Sequence, residues 1–158
     1  MSATASNTAA AGIDSRTAPY AALVLRVGLG LLFLAHGLLL KVLTFGVAGT
    51  VGFFESLGYP GFLAYLVILG EIGGGLLLIA GAYTRWISLA LLPIMIGATL
   101  QHVGNGWLFT APNGGWEFPA FWTALLAVQA LLGDGAFAVK VPALTATAPA
   151  TAGRSQAA

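Results

Sequence analysis

The sequence contains no cysteine. That excludes disulfide exchange, thiolate nucleophiles, thiolate-held iron–sulfur clusters and cysteine-ligated zinc. Charge is nearly as scarce. Asp, Glu, Lys and Arg make up 7% of the 158 residues, against about 25% in a typical soluble domain. The net charge is +1, so there is no basic stripe of the kind that grips nucleic acid, and no nucleic-acid partner is expected. No HExxH, phosphate-cradling loop or GxGxxG fingerprint is present. Gly28-Leu29-Gly30 falls inside an apolar run and reads as a packing element. A redox role for such a chain requires a bound cofactor or a partner to supply the electrons.

What is present is apolar: 58% of the residues are hydrophobic. One domain of this size cannot hide that much apolar surface from water, so lipid is its expected solvent. Residues 1–18 and 141–158 are rich in Ala, Thr and Ser without a periodic apolar face. They read as disordered tails flanking one domain, residues 19–140.

Four apolar runs lie within that domain, at about Tyr20–Leu40, Phe62–Ala80, Trp86–His102 and Phe118–Leu132. A spanning helix needs about 17–25 residues. The first three meet that length, and the fourth is short unless Trp116 and the stretch 133–139 extend it. The first run is longer than the apolar core of a signal peptide and carries Arg26, so it is expected to be a retained helix. The fold class is therefore an all-α membrane protein, a four-transmembrane-helix bundle.

Residues 81–85 form a tight link that makes the second and third spans antiparallel neighbours. Residues 103–117, with several glycines and Pro112, form a loop. Between the first two spans, Val47, Val51 and Phe54 sit at helical spacing before Gly58 and Pro60. A short amphipathic helix at the membrane surface is expected there. Arg16, Arg26, Arg85, Lys140 and Arg154 fall on the side of the tails, with only Lys41 opposite. The positive-inside rule then places both termini in the cytoplasm.

Polar side chains within a span cost about 2.5–3.5 kcal/mol each on insertion scales, so each needs a reason. Glu71 sits mid-way along the second span and must be paired, protonated or turned to the bundle interior. Its neighbours Gly70 and Gly74 form a GxxxG pair that permits close helix approach. Arg26 is placed at a similar depth, so an Arg26–Glu71 pair is expected, serving either as a structural lock or as part of a reactive site. His36, Lys41, His102 and Glu117 are expected to converge on one outward-facing mouth above Glu71. Imidazoles there move protons or bond a quinone carbonyl; equally, they are interfacial residues bonded to backbone or water. Haem ligation by His36 and His102, or a metal held with Glu71 or Glu117, is the weaker reading, because one histidine per helix is little signal. Gln101 and Gln129 are expected to cross-link helices.

Several short stretches carry a resemblance in order and spacing. They are Arg26-Val27-Gly28-Leu29-Gly30, His36-Gly37 with Lys41, Phe54-Glu55-Ser56-Leu57-Gly58-Tyr59-Pro60, Gly70-Glu71-Ile72-Gly73-Gly74, Gly81-Ala82-Tyr83-Thr84-Arg85 and Gly133-Asp134-Gly135. Over about residues 20–140 the chain resembles the DoxX family of bacterial and archaeal membrane proteins. The family's Ser-Leu-Asp-like stretch after the last Gly-x-Gly is replaced by Phe137-Ala138-Val139, so nothing carries over there. The resemblance implies a four-helix inner-membrane protein of a group often described as oxidoreductase subunits, some tied to quinone and some to oxidative-stress complexes. A quinone-linked subunit is the leading expectation, with Glu71, His36 and Arg26 as reactive groups and His36, Lys41, His102 and Glu117 around the quinone. The alternatives are a membrane anchor for a soluble redox partner, and a small-solute transporter that would have to oligomerise.

Overall fold

The computed structural model describes residue 12 and residues 14–139. The tails proposed above lie almost wholly outside the described residues, as do Lys140 and Arg154. Every regular element described is helical. In chain order these are α1 (Ala18–Leu34), a π-helical continuation (Ala35–Thr44), α2 (Gly46–Ser56), α3 (Phe62–Ala80), α4 (Thr84–His102) and α5 (Glu117–Leu132), with a 3-10 turn at Val103–Asn105.

Three helical stretches are long and apolar enough to cross a membrane: Ala18–Thr44, Phe62–Ala80 and Thr84–Asn105. Helix α5 has 16 residues, about 24 Å at 1.5 Å per residue, which is short of the roughly 30 Å hydrocarbon core. The outward faces carry large apolar side chains, such as Leu31 at 57%, Leu69 at 70% and Leu131 at 81% exposure. Surfaces of that kind suit lipid rather than water.

The first helix differs from its sequence expectation. It runs past Leu40 to Thr44, and its last ten residues are π-helical. Phe45 N–H donates to the Leu40 carbonyl at 2.8 Å, five residues back. Thr44 Oγ1 takes up the Leu39 carbonyl at 2.7 Å.

The core is small and built where helices touch: Leu29 and Phe33 from α1, Leu78 from α3, Leu91 and Met95 from α4, Trp122 and Leu126 from α5. Close approach of α1 and α3 depends on Gly30 and Gly75. A Cβ at Gly30 would sit 2.7 Å from the Gly75 carbonyl oxygen, and one at Gly75 2.9 Å from that of Gly30. The expected GxxxG pair does face a neighbouring helix: Gly74 meets Leu91 and Gly70 meets Ile94, both on α4.

One end of the bundle, here called the base, is stitched by backbone. Gly81, at φ 75°, ends α3 in the left-handed conformation that glycine tolerates. Asp134 Oδ1 accepts the Thr84 N–H at 3.1 Å, at the start of α4. Ala136 N–H donates to Pro19 O, and Val139 N–H to Ala80 O. The segment after α5 therefore closes across α1 and α3, and residues 14 and 139 lie at the same end.

Candidate functional site

At the other end, the top, α3 and α4 part. A cleft of about 900 Å³ opens between Leu63, Leu66 and Val67 of α3 and Gly97, Ala98 and Gln101 of α4. Pro93 lies on its wall and interrupts the α4 hydrogen-bond ladder just below the opening. Leu66, on the cleft wall, is 56% exposed. Phe53 and Phe54 from α2, Leu57 just after it, and Phe118 and Trp122 from α5 complete the apolar lining. The polar groups on the wall are few: His36, Lys41, Glu71, Gln101, His102 and Tyr59.

Glu71 is paired with Lys41. The ammonium donates to Oε1 at 2.9 Å and to Oε2 at 2.7 Å. The expected Arg26–Glu71 pair does not form, and the reason is geometric. Gly37 packs against the Glu71 Cβ, so Lys41, one turn further on, reaches the carboxylate. In an α-helix, residues five apart point roughly 140° away from each other at 3.6 residues per turn. The π-helix bonds each residue to the fifth before it and so stacks Lys41 over His36 on one face. Thr50 of α2 donates to the Lys41 carbonyl at 2.9 Å and to that of Gly46 at 3.1 Å, which holds the widened turn. Such insertions recur at functional sites.

Arg26 belongs to the base, away from the cleft. Its side chain is 1% exposed. It donates to the carbonyls of Leu78 at 2.9 Å, Ile79 at 2.6 Å and Ala136 at 2.8 Å. Two of these are terminal carbonyls of α3, the negative end of that helix dipole. The level of Leu78 is about 11 Å from that of Glu71 along the helix, by the rise per residue. A fork of N–H groups bonded to carbonyls is a structural lock, so the expected reactive role has no geometric support.

His36 and His102 both line the cleft. Nδ1–H of His36 donates to the Leu32 carbonyl at 2.9 Å, and that of His102 to the Ala98 carbonyl at 2.7 Å. The His36 ring also stands edge-on to Trp122 at 4.9 Å. Gln101 donates to the Tyr59 hydroxyl across the top of the cleft, which ties α4 to the connection between α2 and α3 rather than to another helix. Gln129 instead bonds the Gly133 carbonyl at the end of its own helix.

Glu117 does not reach the mouth. Its Oε1 accepts the Phe109 N–H at 2.8 Å, and it lines a separate recess with Trp107 and Phe121. It was misplaced because it begins α5 and is drawn to the unpaired N–H groups of the preceding loop. That loop is folded on itself, with Asn105 bonded to the carbonyls of Asn113 and Gly114 and Trp107 against Trp116 at 4.5 Å. Among the described residues, no group of three acidic or histidine side chains is placed to hold a metal ion.

Sequence reasoning passed over Trp122. The signal for Trp122 was available: an indole inside an apolar run needs an acceptor for its N–H, and here Nε1 is buried without one among the described residues.

The DoxX family model matches residues 21–104. A Bacillus subtilis (strain 168) protein named "Putative oxidoreductase CatD" is 38% identical over 78 residues, 49% of this chain and 56% of that protein. An Escherichia coli (strain K12) protein named "Inner membrane protein YqjF" is 50% identical over 44 residues, 28% of this chain and 34% of that one. The chain thus spans about half or less of the curated relatives it matches. No solved structure matches it. The family match covers α1, the π segment, α2, α3 and α4, and with them the cleft's ion pair and both histidines: the chain belongs to the DoxX family.

Proposed function

We propose that this protein is a quinone-linked redox subunit of the inner membrane, crossing it four times with both termini in the cytoplasm. The observation that carries the proposal is the cleft of about 900 Å³, lined mostly by apolar side chains between α3 and α4. Its volume and lining suit a small amphipathic ligand, and a quinone has the matching anatomy of an apolar tail and a polar ring. His36, His102 and the Lys41–Glu71 pair would hold the ring; the α3 and α4 walls would take the tail. A quinone supplies a lipid-soluble carrier of electrons and protons. The protein's part is to orient the ring, exclude water and present proton-bearing groups to its oxygens. The oxidoreductase name of the Bacillus subtilis relative and the membrane named for the Escherichia coli relative point the same way.

Four crossings follow from adding α5, aided at its ends by Trp116 and the segment after Gly133. An even number accords with residues 14 and 139 lying together at the base. Among the described residues, Arg16, Arg26 and Arg85 collect there and only Lys41 stands opposite, a bias that supports a cytoplasmic base by the positive-inside rule. Helix α2 then lies along the outer surface.

The test is the purified full chain in nanodiscs. Quinone extracted with the protein, or added alkyl benzoquinone bound saturably and lost on Lys41→Met, supports the reading. Protein that carries no quinone and binds none refutes it.

A further inference from the structure

The two histidines of the cleft are wired alike. In each, Nδ1 lies against the carbonyl four residues back, at 2.9 Å for His36 and 2.7 Å for His102. A carbonyl has no proton to give, so the proton sits on Nδ1 in both rings. The neutral imidazole then presents Nε2 as a bare acceptor. Neither Nε2 has a hydrogen-bond partner among the described residues, and both rings border the same cleft. The same device appears on two separate elements, the π segment and α4, with the same polarity. Of the donors nearby, Lys41 bonds both oxygens of Glu71 and the Gln101 amide goes to Tyr59, while the Trp122 Nε1–H is left without an acceptor among the described residues.

A quinone ring carries carbonyl oxygens, which meet a bare nitrogen lone pair with another lone pair. Its reduced diol carries O–H groups, which a lone pair accepts. Resting on the quinone reading above, we infer that the cleft selects the hydroxyl-bearing, reduced form of its ligand, with His36 and His102 accepting from the ligand's O–H groups. Preferential binding of the diol raises the midpoint potential of the bound couple. A tenfold preference corresponds to about 30 mV for a two-electron couple.

The experiment compares three probes of nearly one shape on the full chain in nanodiscs, by calorimetry, anaerobically and at one fixed pH. The probes are an alkyl benzoquinone, its hydroquinone and the dimethyl ether of that hydroquinone. The diol is expected to bind about tenfold or more tighter than either of the others, on the order of one hydrogen bond's worth of affinity. His36→Phe and His102→Phe keep an aromatic ring in place. Each is expected to weaken diol binding several-fold while leaving ether binding unchanged. The comparison on the unmodified protein needs neither variant to fold. A diol that binds no tighter than the quinone or the ether overturns the inference and leaves the quinone reading standing. Failure of all three probes to bind overturns both.

Discussion

Replacing Lys41 with Met should destabilise the protein more than replacing its partner Glu71 with Gln. The Glu71 side chain is 6% exposed and that of Lys41 is 20%. Removing the cation leaves a carboxylate enclosed by α3, α4 and the π segment, with no other donor bonded to it among the described residues. Breaking a buried pair from one side costs about 3–5 kcal/mol, and the low end suits a pair bordering an open cleft. Removing the anion leaves an ammonium on a flexible stem that can turn to the mouth, so about 1–2 kcal/mol is expected from the lost charged hydrogen bonds. The double variant Lys41→Met, Glu71→Gln leaves no orphaned charge and should be no less stable than Lys41→Met alone. The coupling between the two positions is then at least about 1–2 kcal/mol. Reversible unfolding in mixed micelles, followed by circular dichroism, reads all four proteins. Additive losses, or Lys41→Met no worse than Glu71→Gln, would refute the pairing.

Three further outcomes follow from packing and capping. Gly30→Ala pushes a methyl against the Gly75 carbonyl oxygen, and the same unfolding assay should show a loss of about 1–3 kcal/mol; Gly28→Ala, which meets nothing within 4 Å, should be neutral or gain up to about 1 kcal/mol. Arg26→Lys keeps the charge but loses the planar fork that reaches three carbonyls, so it should be nearly as unstable as Arg26→Met, each losing more than about 2 kcal/mol. Asp134→Ala removes the acceptor for the Thr84 N–H, at about 1 kcal/mol, seen as faster amide exchange confined to the first turn of α4.

The helical class was legible because apolar run length carries it directly, and three runs became long apolar helices close to their expected ends. The GxxxG contact was legible for the same reason: small residues at i and i+4 share one face. The site was harder to read. Deriving depth from residue counts assumes an unbroken α-helix, and the π segment breaks that assumption. Nothing in Ala35–Thr44 announces an i→i+5 ladder, since its Leu, Val and Ala suit either helix; the Thr50 bond that holds it comes from another element. Lys41 therefore appeared to belong to the rim and Arg26 to the interior partner of Glu71. Arg26 was misjudged for a second reason. Its acceptors are carbonyls, and every residue has one, so composition could not name them.

The Arg26 lock also has a chronology. Its third acceptor, the Ala136 carbonyl, lies 110 residues further along the chain. At about 5–20 residues per second, a ribosome needs on the order of 5–20 s to deliver it. Through that interval a buried guanidinium has only the carbonyls of α3 to lean on, and those themselves arrive half-way through. The helices can enter the bilayer in order, yet the base closes only when the segment after α5 reaches across α1. Closure of the base thus waits for the segment made after α5, which folds back onto a charge set down 110 residues earlier.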